Sequence, residues 1–281
     1  MPADHLQDTT RNLSPAASGF TVLIPARYAA SRLPGKPLRE IGGEPLVCRV
    51  VEQAARAGAR RVAVATDDER VAEAVRHRGA EAVLTASDCP SGTDRLAQAA
   101  AALDLPDQEP VINVQGDEPF LDPELIGEVA AALETEPARQ MATAAHPLTQ
   151  WARVLDPNVV KVVRDAQGDA LYFSRAPIPW PREAFSRLPG PEEPRPAQDP
   201  DGFLQHIGIY GYRAGFLTTF SRWSPTPLER QESLEQLRAL ENGVALRVIV
   251  TARGPGPGVD TPEDLAEAER LWVERHRQNG G

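Results

Sequence analysis

The sequence predicts an α/β protein built on a mostly parallel, doubly wound sheet with a small hairpin-containing subdomain. Three observations lead there. Short apolar, β-branched runs alternate with amphipathic segments of helical period through the first half of the chain, joined by short connections. These runs are apolar at successive positions rather than alternating, as strands covered on both faces are. In the second half, 159–164 and 170–173 flank Asp165-Ala166-Gln167-Gly168, a hairpin pattern rather than another βα unit.

In order, 1–19 is a polar extension: it carries Asp4 and Asp8 and has no apolar stretch of signal-peptide length. The run 20–24 is the first strand, stopped by Pro25. It opens into a loop with Arg27, Arg32 and Lys36, stiffened and bent by Pro34, Gly35 and Pro37. In open α/β sheets ligands sit at the carboxyl ends of strands, and three cations there suit a polyphosphate; a merely solvated basic loop would not need the prolines and glycine. The loop is not a Walker A loop, because Ala30 stands where the first glycine belongs and Pro37 follows the lysine.

A helix follows over 46–58, with Leu46, Val47, Val50, Val51, Ala54 and Ala55 at helical spacing and Cys48 within it. Residues 61–65 form a strand ending in Thr66-Asp67-Asp68, with Asp68 as N-cap of the next helix. Residues 80–85 form the third strand. Cys89-Pro90-Ser91-Gly92-Thr93-Asp94-Arg95 opens an alanine-rich helix over 96–103; small residues at a helix start either cap it or lay backbone N–H groups against a ligand.

The fourth strand, 110–114, delivers Gln115-Gly116-Asp117-Glu118-Pro119 to the same sheet edge as the basic loop. Asp117 reads either as a turn carboxylate before the helix at 124–133 or as a ligand for a hard cation such as Mg²⁺. A further strand spans 140–145. After the hairpin comes Arg175, then 181–202, whose Pro189, Pro191, Pro194, Pro196 and Pro200 mark an exposed insertion. A strand over 204–212 carries His206 and Tyr210 on one face. Residues 228–240 read as one helix with a charged, solvated face. The last strand, 246–251, leads to Asp260, immediately before a helix with Thr261 as N-cap and Pro262 in its first turn.

Composition narrows the function. The chain has 281 residues and a net charge of −10, which argues against nucleic acid as a partner, so a bound anion is met by a local cluster. Two cysteines, with no paired motif, support neither a disulfide framework nor a zinc site and fit a reducing cytoplasm. No apolar run is long enough to span a bilayer, so no membrane insertion is expected.

The ordered blocks resemble one family, 3-deoxy-manno-octulosonate (Kdo) cytidylyltransferase. They are Ile-Pro-Ala-Arg-Tyr at 24–28 with Arg-Leu-Pro-Gly-Lys-Pro-Leu at 32–38, Ala-Thr-Asp-Asp at 65–68, Ser-Gly-Thr at 91–93, Asn-Val-Gln-Gly-Asp-Glu-Pro at 113–119, Asp-Pro-Asn-Val-Val-Lys-Val-Val at 156–163, Tyr-Phe-Ser-Arg at 172–175, His-x-Gly-Ile-Tyr-Gly-Tyr-Arg at 206–213, Leu-Glu-Gln-Leu-Arg at 234–238 and Gly-Val-Asp-Thr-Pro-Glu-Asp-Leu at 258–265. The resemblance implies a Rossmann-like nucleotide-diphospho-sugar transferase fold, a single nucleotidyltransferase domain over 20–276, a homodimer, and transfer of CMP from CTP to Kdo with Mg²⁺, for lipopolysaccharide precursor synthesis. It implies catalytic Arg32, Lys36, Asp117 and Asp260, with the two aspartates holding the metal. CTP would meet Pro25, Ala26, Arg27, Arg32, Lys36, Ala65, Thr66, Asp67, Ser91 and Gly92. Kdo would meet Gln115, Arg175, His206, Tyr210, Glu235 and Gln236. Cys89-Pro90, Asp94 and the length of the 181–202 insertion depart from the family's usual pattern. Acylneuraminate cytidylyltransferases, sugar-1-phosphate nucleotidyltransferases and a non-catalytic nucleotide-sugar binding module are the competing readings. The first usually has Lys-Asn where Lys36-Pro37 stand, the second a glycine-richer loop, and the third has no need of Lys36, Asp117 and Asp260 together.

Overall fold

The computed structural model describes residues 19–30, 32–183 and 199–279. Most of the N-terminal extension and residues 184–198 of the insertion lie outside the described residues. In chain order the elements are β1 (Thr21–Ala26), β2 (Glu40–Ile41), β3 (Glu44–Pro45), α1 (Leu46–Arg56), β4 (Arg61–Thr66), α2 (Glu69–His77), β5 (Glu81–Leu84), α3 (Gly92–Ala102), β6 (Pro110–Asn113) and α4 (Pro123–Glu134). They continue with β7 (Met141–Pro147), α5 (Trp151–Leu155), β8 (Lys161–Arg164), β9 (Ala170–Ser174), β10 (Leu204–Arg213), α6 (Ala214–Ser221), α7 (Pro227–Glu232), α8 (Leu237–Glu241), β11 (Leu246–Val250) and α9 (Pro262–Asn279).

The main sheet runs β11-β7-β10-β6-β1-β4-β5, with β8 on the start of β10 and β9 on β8. Pairs β1–β4, β1–β6, β4–β5 and β7–β11 are parallel, and β10 is antiparallel to both β6 and β7. The sheet is therefore mostly parallel, as the alternation of runs predicts, and β8–β9 is the antiparallel hairpin. The antiparallel insertion of β10 has a use: its first residues, His206 among them, arrive at the edge where the parallel strands end. One face of the sheet buries Val47, Val50, Leu125, Ile126 and Val129 from α1 and α4; the other buries Leu96, Ala99, Phe216, Leu217 and Phe220 from α3 and α6.

Three local expectations are corrected. Pro25 does not stop β1, which runs on to Ala26. Leu23 O accepts from Val114 N, so the peptide edge of residue 25 faces the same side, where β6 has already left the sheet; the missing N–H costs nothing there. The helix expected from 96 begins at Gly92, because Ser91 caps it by accepting from Asp94 N. The helix expected over 228–240 is two short helices broken at Ser233, which sits at φ 54. Its charge is not a solvated face either: Arg238 and Gln236 are buried, and the Arg238 guanidinium pairs with Glu229 across the break. The capping expectations hold at Asp68, which accepts from Arg70 N, and at Thr261, which accepts from Asp264 N.

A small apolar cluster of Leu33, Ile41, Leu46, Phe120, Val259 and Ala268 ties three loops together. Leu33 lies in the basic loop, Phe120 just beyond Asp117, and Val259 just before Asp260. Buried contact between these three sets the spacing of the charged residues above them.

Candidate active site

The first loop leaves β1 and tightens into a 3₁₀ turn, Lys36–Leu38, whose cap Gly35 takes φ 68, a conformation that an L-residue with a side chain resists. That turn aims Lys36 inward. Its Nζ donates to Asp117 Oδ2 at 2.7 Å and Asp260 Oδ1 at 2.9 Å, joining residues 81 and 224 positions apart. Burial pulls the ammonium's pKa down, but the two carboxylates outweigh it and hold it above the ordinary lysine value, so Lys36 is fully charged at neutral pH. Asp117 and Asp260 are also joined through backbone, since Val259 N donates to Asp117 O at 2.9 Å. Asp264 accepts from Asp260 N and Thr261 N at 3.0 and 2.9 Å, fixing the turn that presents Asp260.

Around this triad lies a cleft of about 380 Å³ at the carboxyl edge of the parallel strands. Its walls include Pro25, Ala26, Arg27, Arg32, Lys36, Ser91, Gly92, Gln115, Asp117 and Asp260, so the structure brings together ten of the residues expected there. Four cations, Arg27, Arg32, Lys36 and Arg95, face two aspartates, a local positive excess on an acidic protein. Gly116 makes the approach possible: a Cβ there would stand 2.7 Å from Pro25 O. Arg32 reaches Asp260 Oδ2 at 3.1 Å from the rim, with its side chain 67% exposed; such a pair adds at most about 1 kcal/mol, so it orients rather than stabilises.

Ala65, Thr66 and Asp67 are not on the cleft wall. Ala65 and Thr66 are buried at the end of β4. Asp67 accepts from Tyr28 N at 3.1 Å and pairs with Arg95 at 3.3 Å, holding both the basic loop and an arginine of the wall. Arg95 lines the cleft and Glu118 stands beside the triad, and sequence reasoning singles out neither. Arg95 sits on the inner face of an alanine-rich helix, the one signal available for it. Glu118 follows Asp117 directly; burial, then the neighbouring Asp117 and Asp260 charges, push its carboxyl up to about 8.

Next to the cleft the remaining expected residues form a different kind of wall. His206 is buried, its ring edge-on to Phe173 at 4.9 Å and 5.4 Å from Tyr210. Its Nε2 lies 3.0 Å from Thr143 Oγ1, whose own proton goes to Ile209 O at 2.6 Å, so Nε2 is the donor. Burial lowers its pKa to about 3 and keeps the ring neutral. The half-buried Tyr210 stays protonated, because desolvation of its hydroxyl pushes its pKa well up. Glu235 and Gln236 occupy the break between α7 and α8, where Glu235 Oε1 and Gln236 Nε2 are buried without a hydrogen-bond partner. Arg175 is turned the other way, its guanidinium donating to Glu232 O at 2.8 Å and Pro157 O at 3.1 Å.

Comparison with known proteins places the chain in a family. The cytidylyltransferase family model matches residues 21–248. The 3-deoxy-manno-octulosonate cytidylyltransferase of Halorhodospira halophila is 53% identical over 257 residues, covering 91% of this chain and 98% of that protein. A solved CMP:2-keto-3-deoxy-manno-octonic acid synthetase, complexed with CTP, superposes with a TM-score of 0.81 at 41% identity over 92% of this chain and all of that one. A nucleotidyl transferase from Methanothermobacter thermautotroptrophicus, at 14% identity, TM-score 0.57 and coverage of 92% and 99%, shares the fold. The chain belongs to the cytidylyltransferase family, on its 3-deoxy-manno-octulosonate cytidylyltransferase branch.

Proposed function

We propose that the protein transfers CMP from CTP to 3-deoxy-D-manno-octulosonate, releasing pyrophosphate and supplying CMP-Kdo for lipopolysaccharide precursor synthesis. The observation that carries this is the Lys36–Asp117–Asp260 triad inside a cation-rich cleft at the sheet edge. Attack of the sugar's anomeric hydroxyl on the α-phosphorus is an in-line displacement in which positioning and charge neutralisation do most of the work. The O–P bond forms as the bond to pyrophosphate breaks. Arg27, Arg32 and Lys36 neutralise the triphosphate and the departing pyrophosphate, Ser91 and Gly92 meet the cytosine side, and Gln115, His206, Tyr210, Glu235 and Gln236 form the sugar side, which Arg175 joins by leaving the carbonyls of Glu232 and Pro157.

The residues present fit Mg²⁺. Asp117 and Asp260 converge on the Lys36 ammonium; Asp117 keeps an oxygen outside that pair, whereas the second oxygen of Asp260 meets Arg32 at 3.1 Å on the exposed rim, a weak contact that a divalent cation would displace. A hard cation held by few carboxylates and completed by phosphate oxygens is how Mg²⁺ is commonly bound. Bound there, Mg²⁺ would supply charge neutralisation at the α-phosphate and lower the pKa of the sugar hydroxyl.

The homodimer belongs to the same reading, supported by the exposed Leu171 of the hairpin and Trp180 beyond it, and is checked by light scattering. A cytoplasmic location belongs to the same reading, supported by CTP as donor; no helix among the described residues is long and apolar enough to cross a membrane. The deciding experiment is pyrophosphate release from CTP with Kdo, sialic acid and sugar 1-phosphates in parallel. Kdo should be used fastest, and faster use of either rival would overturn the assignment.

A further inference from the structure

The helix that opens with the cytosine-side residues also touches the sugar side. Thr93, two residues beyond Ser91, is buried, and its Oγ1 donates to Glu235 Oε2 at 2.6 Å across 142 positions of sequence. The other oxygen of that carboxylate, Oε1, is buried without a hydrogen bond, its nearest cation being Arg238 at 3.6 Å. The neighbouring Gln236 Nε2 is in the same condition. Native interiors seldom leave such atoms unpaired, and two on adjacent residues are one acceptor and one donor, the complement of sugar hydroxyls. The segment carrying them is fastened at its other end as well: Glu232 accepts from Ser174 Oγ at 2.6 Å and Arg175 N at 3.0 Å.

We infer that Thr93 is a positioning residue for the sugar: by occupying one oxygen of Glu235 it turns the other toward the substrate's hydroxyls, and it links that orientation to the loop on which the nucleotide base rests. This rests on the function proposed above. Loss of the Thr93 hydroxyl leaves Glu235 free to rotate toward Arg238, 3.6 Å away, and spoils the presented acceptor.

The test uses the full-length enzyme with CTP, Mg²⁺ and Kdo. Thr93→Val should raise the KM for Kdo about 10-fold, while the Kd for CTP alone, by titration calorimetry, stays within about twofold; losing one charge-assisted hydrogen bond is of this size. Thr93→Ser should restore the KM. In a Glu235→Ala background Thr93→Val should add nothing, because its target is gone. An unchanged KM in Thr93→Val, an equal loss of CTP affinity, or full additivity with Glu235→Ala would overturn the inference. If the valine variant does not fold, Thr93→Ala is read by the same three criteria. A wild type that does not use Kdo overturns the proposed function; a wild type that does, with Thr93→Val unaltered, overturns this inference alone.

Discussion

On the proposed function, the cleft and the wall beside it hold a polar ligand by opposite physical means. At the end proposed for the phosphates Lys36 and Arg32 pair with Asp117 and Asp260, partly open to water, on loops leaving three different parts of the chain. At the end proposed for the sugar a neutral histidine, a protonated tyrosine and two polar atoms without hydrogen bonds are set into an aromatic wall. The difference teaches that charge recognition tolerates exposure because its partner is highly charged too. Hydroxyl recognition gains from burial, where an unmet hydrogen bond costs about 1–3 kcal/mol and so discriminates.

The largest expected effect breaks the charged half. Asp117→Asn and Asp260→Asn should each lower turnover by about 100-fold or more with an unchanged melting temperature, since each removes charge that acts on the transition state. Near wild-type turnover at saturating Mg²⁺ would remove that half from the mechanism. Lys36→Ala should weaken CTP binding or turnover roughly 10- to 100-fold and leave the KM for Kdo in place; a two-substrate kinetic matrix reads the separation.

Arg175→Ala sharpens the boundary between the halves. If the guanidinium swings off the Glu232 and Pro157 carbonyls to meet the sugar carboxylate, the KM for Kdo rises about 10-fold with CTP binding kept. If its work is to fasten Glu232, melting temperature falls and the KM does not move.

The smallest effect is a pH signature of the buried half. His206 titrates near 3 when folded and near 6.5 when unfolded, so below pH 6.5 the unfolded chain takes up a proton the folded one refuses. Stability from this group is complete above pH 6.5 and is lost as pH falls toward 3, by at most about 1.4 kcal/mol per pH unit. His206→Gln should flatten the melting-temperature profile between pH 6.5 and 5; an equal slope in both proteins would mean the ring is accessible and charged.

The same contrast explains what could be read from the sequence. The basic loop was legible because its cations are consecutive in the chain and its prolines and glycine are local signals. Asp117 was legible as a carboxylate in the turn after a strand, and Asp260 as one set just before a helix cap; the structure has β11 end at Val250, well short of Asp260. The place of β10 was not, because nothing in 204–213 reports that it lies antiparallel between β6 and β7. The break at Ser233 was hidden behind a good helical period, and is imposed by long-range partners, Thr93 on Glu235 and Ser174 on Glu232. Lys161 shows the limit most clearly. Its spacing says strand, yet it is wholly buried, with its ammonium donating to the carbonyls of Asp156, Val159 and Arg175, an arrangement that exists only once the hairpin has closed.

The salt bridge between Lys36 and Asp260 has a consequence for synthesis. Its partners stand 224 residues apart, so the cleft's first wall leaves the ribosome long before its last carboxylate. Strands β1, β4 and β5 pair with short sequence separation and can order early, whereas the Lys36–Asp260 pair waits for the final turn before α9. A nascent chain can therefore acquire its sheet without acquiring chemistry, and a chain cut short anywhere before Asp260 would lack the second carboxylate.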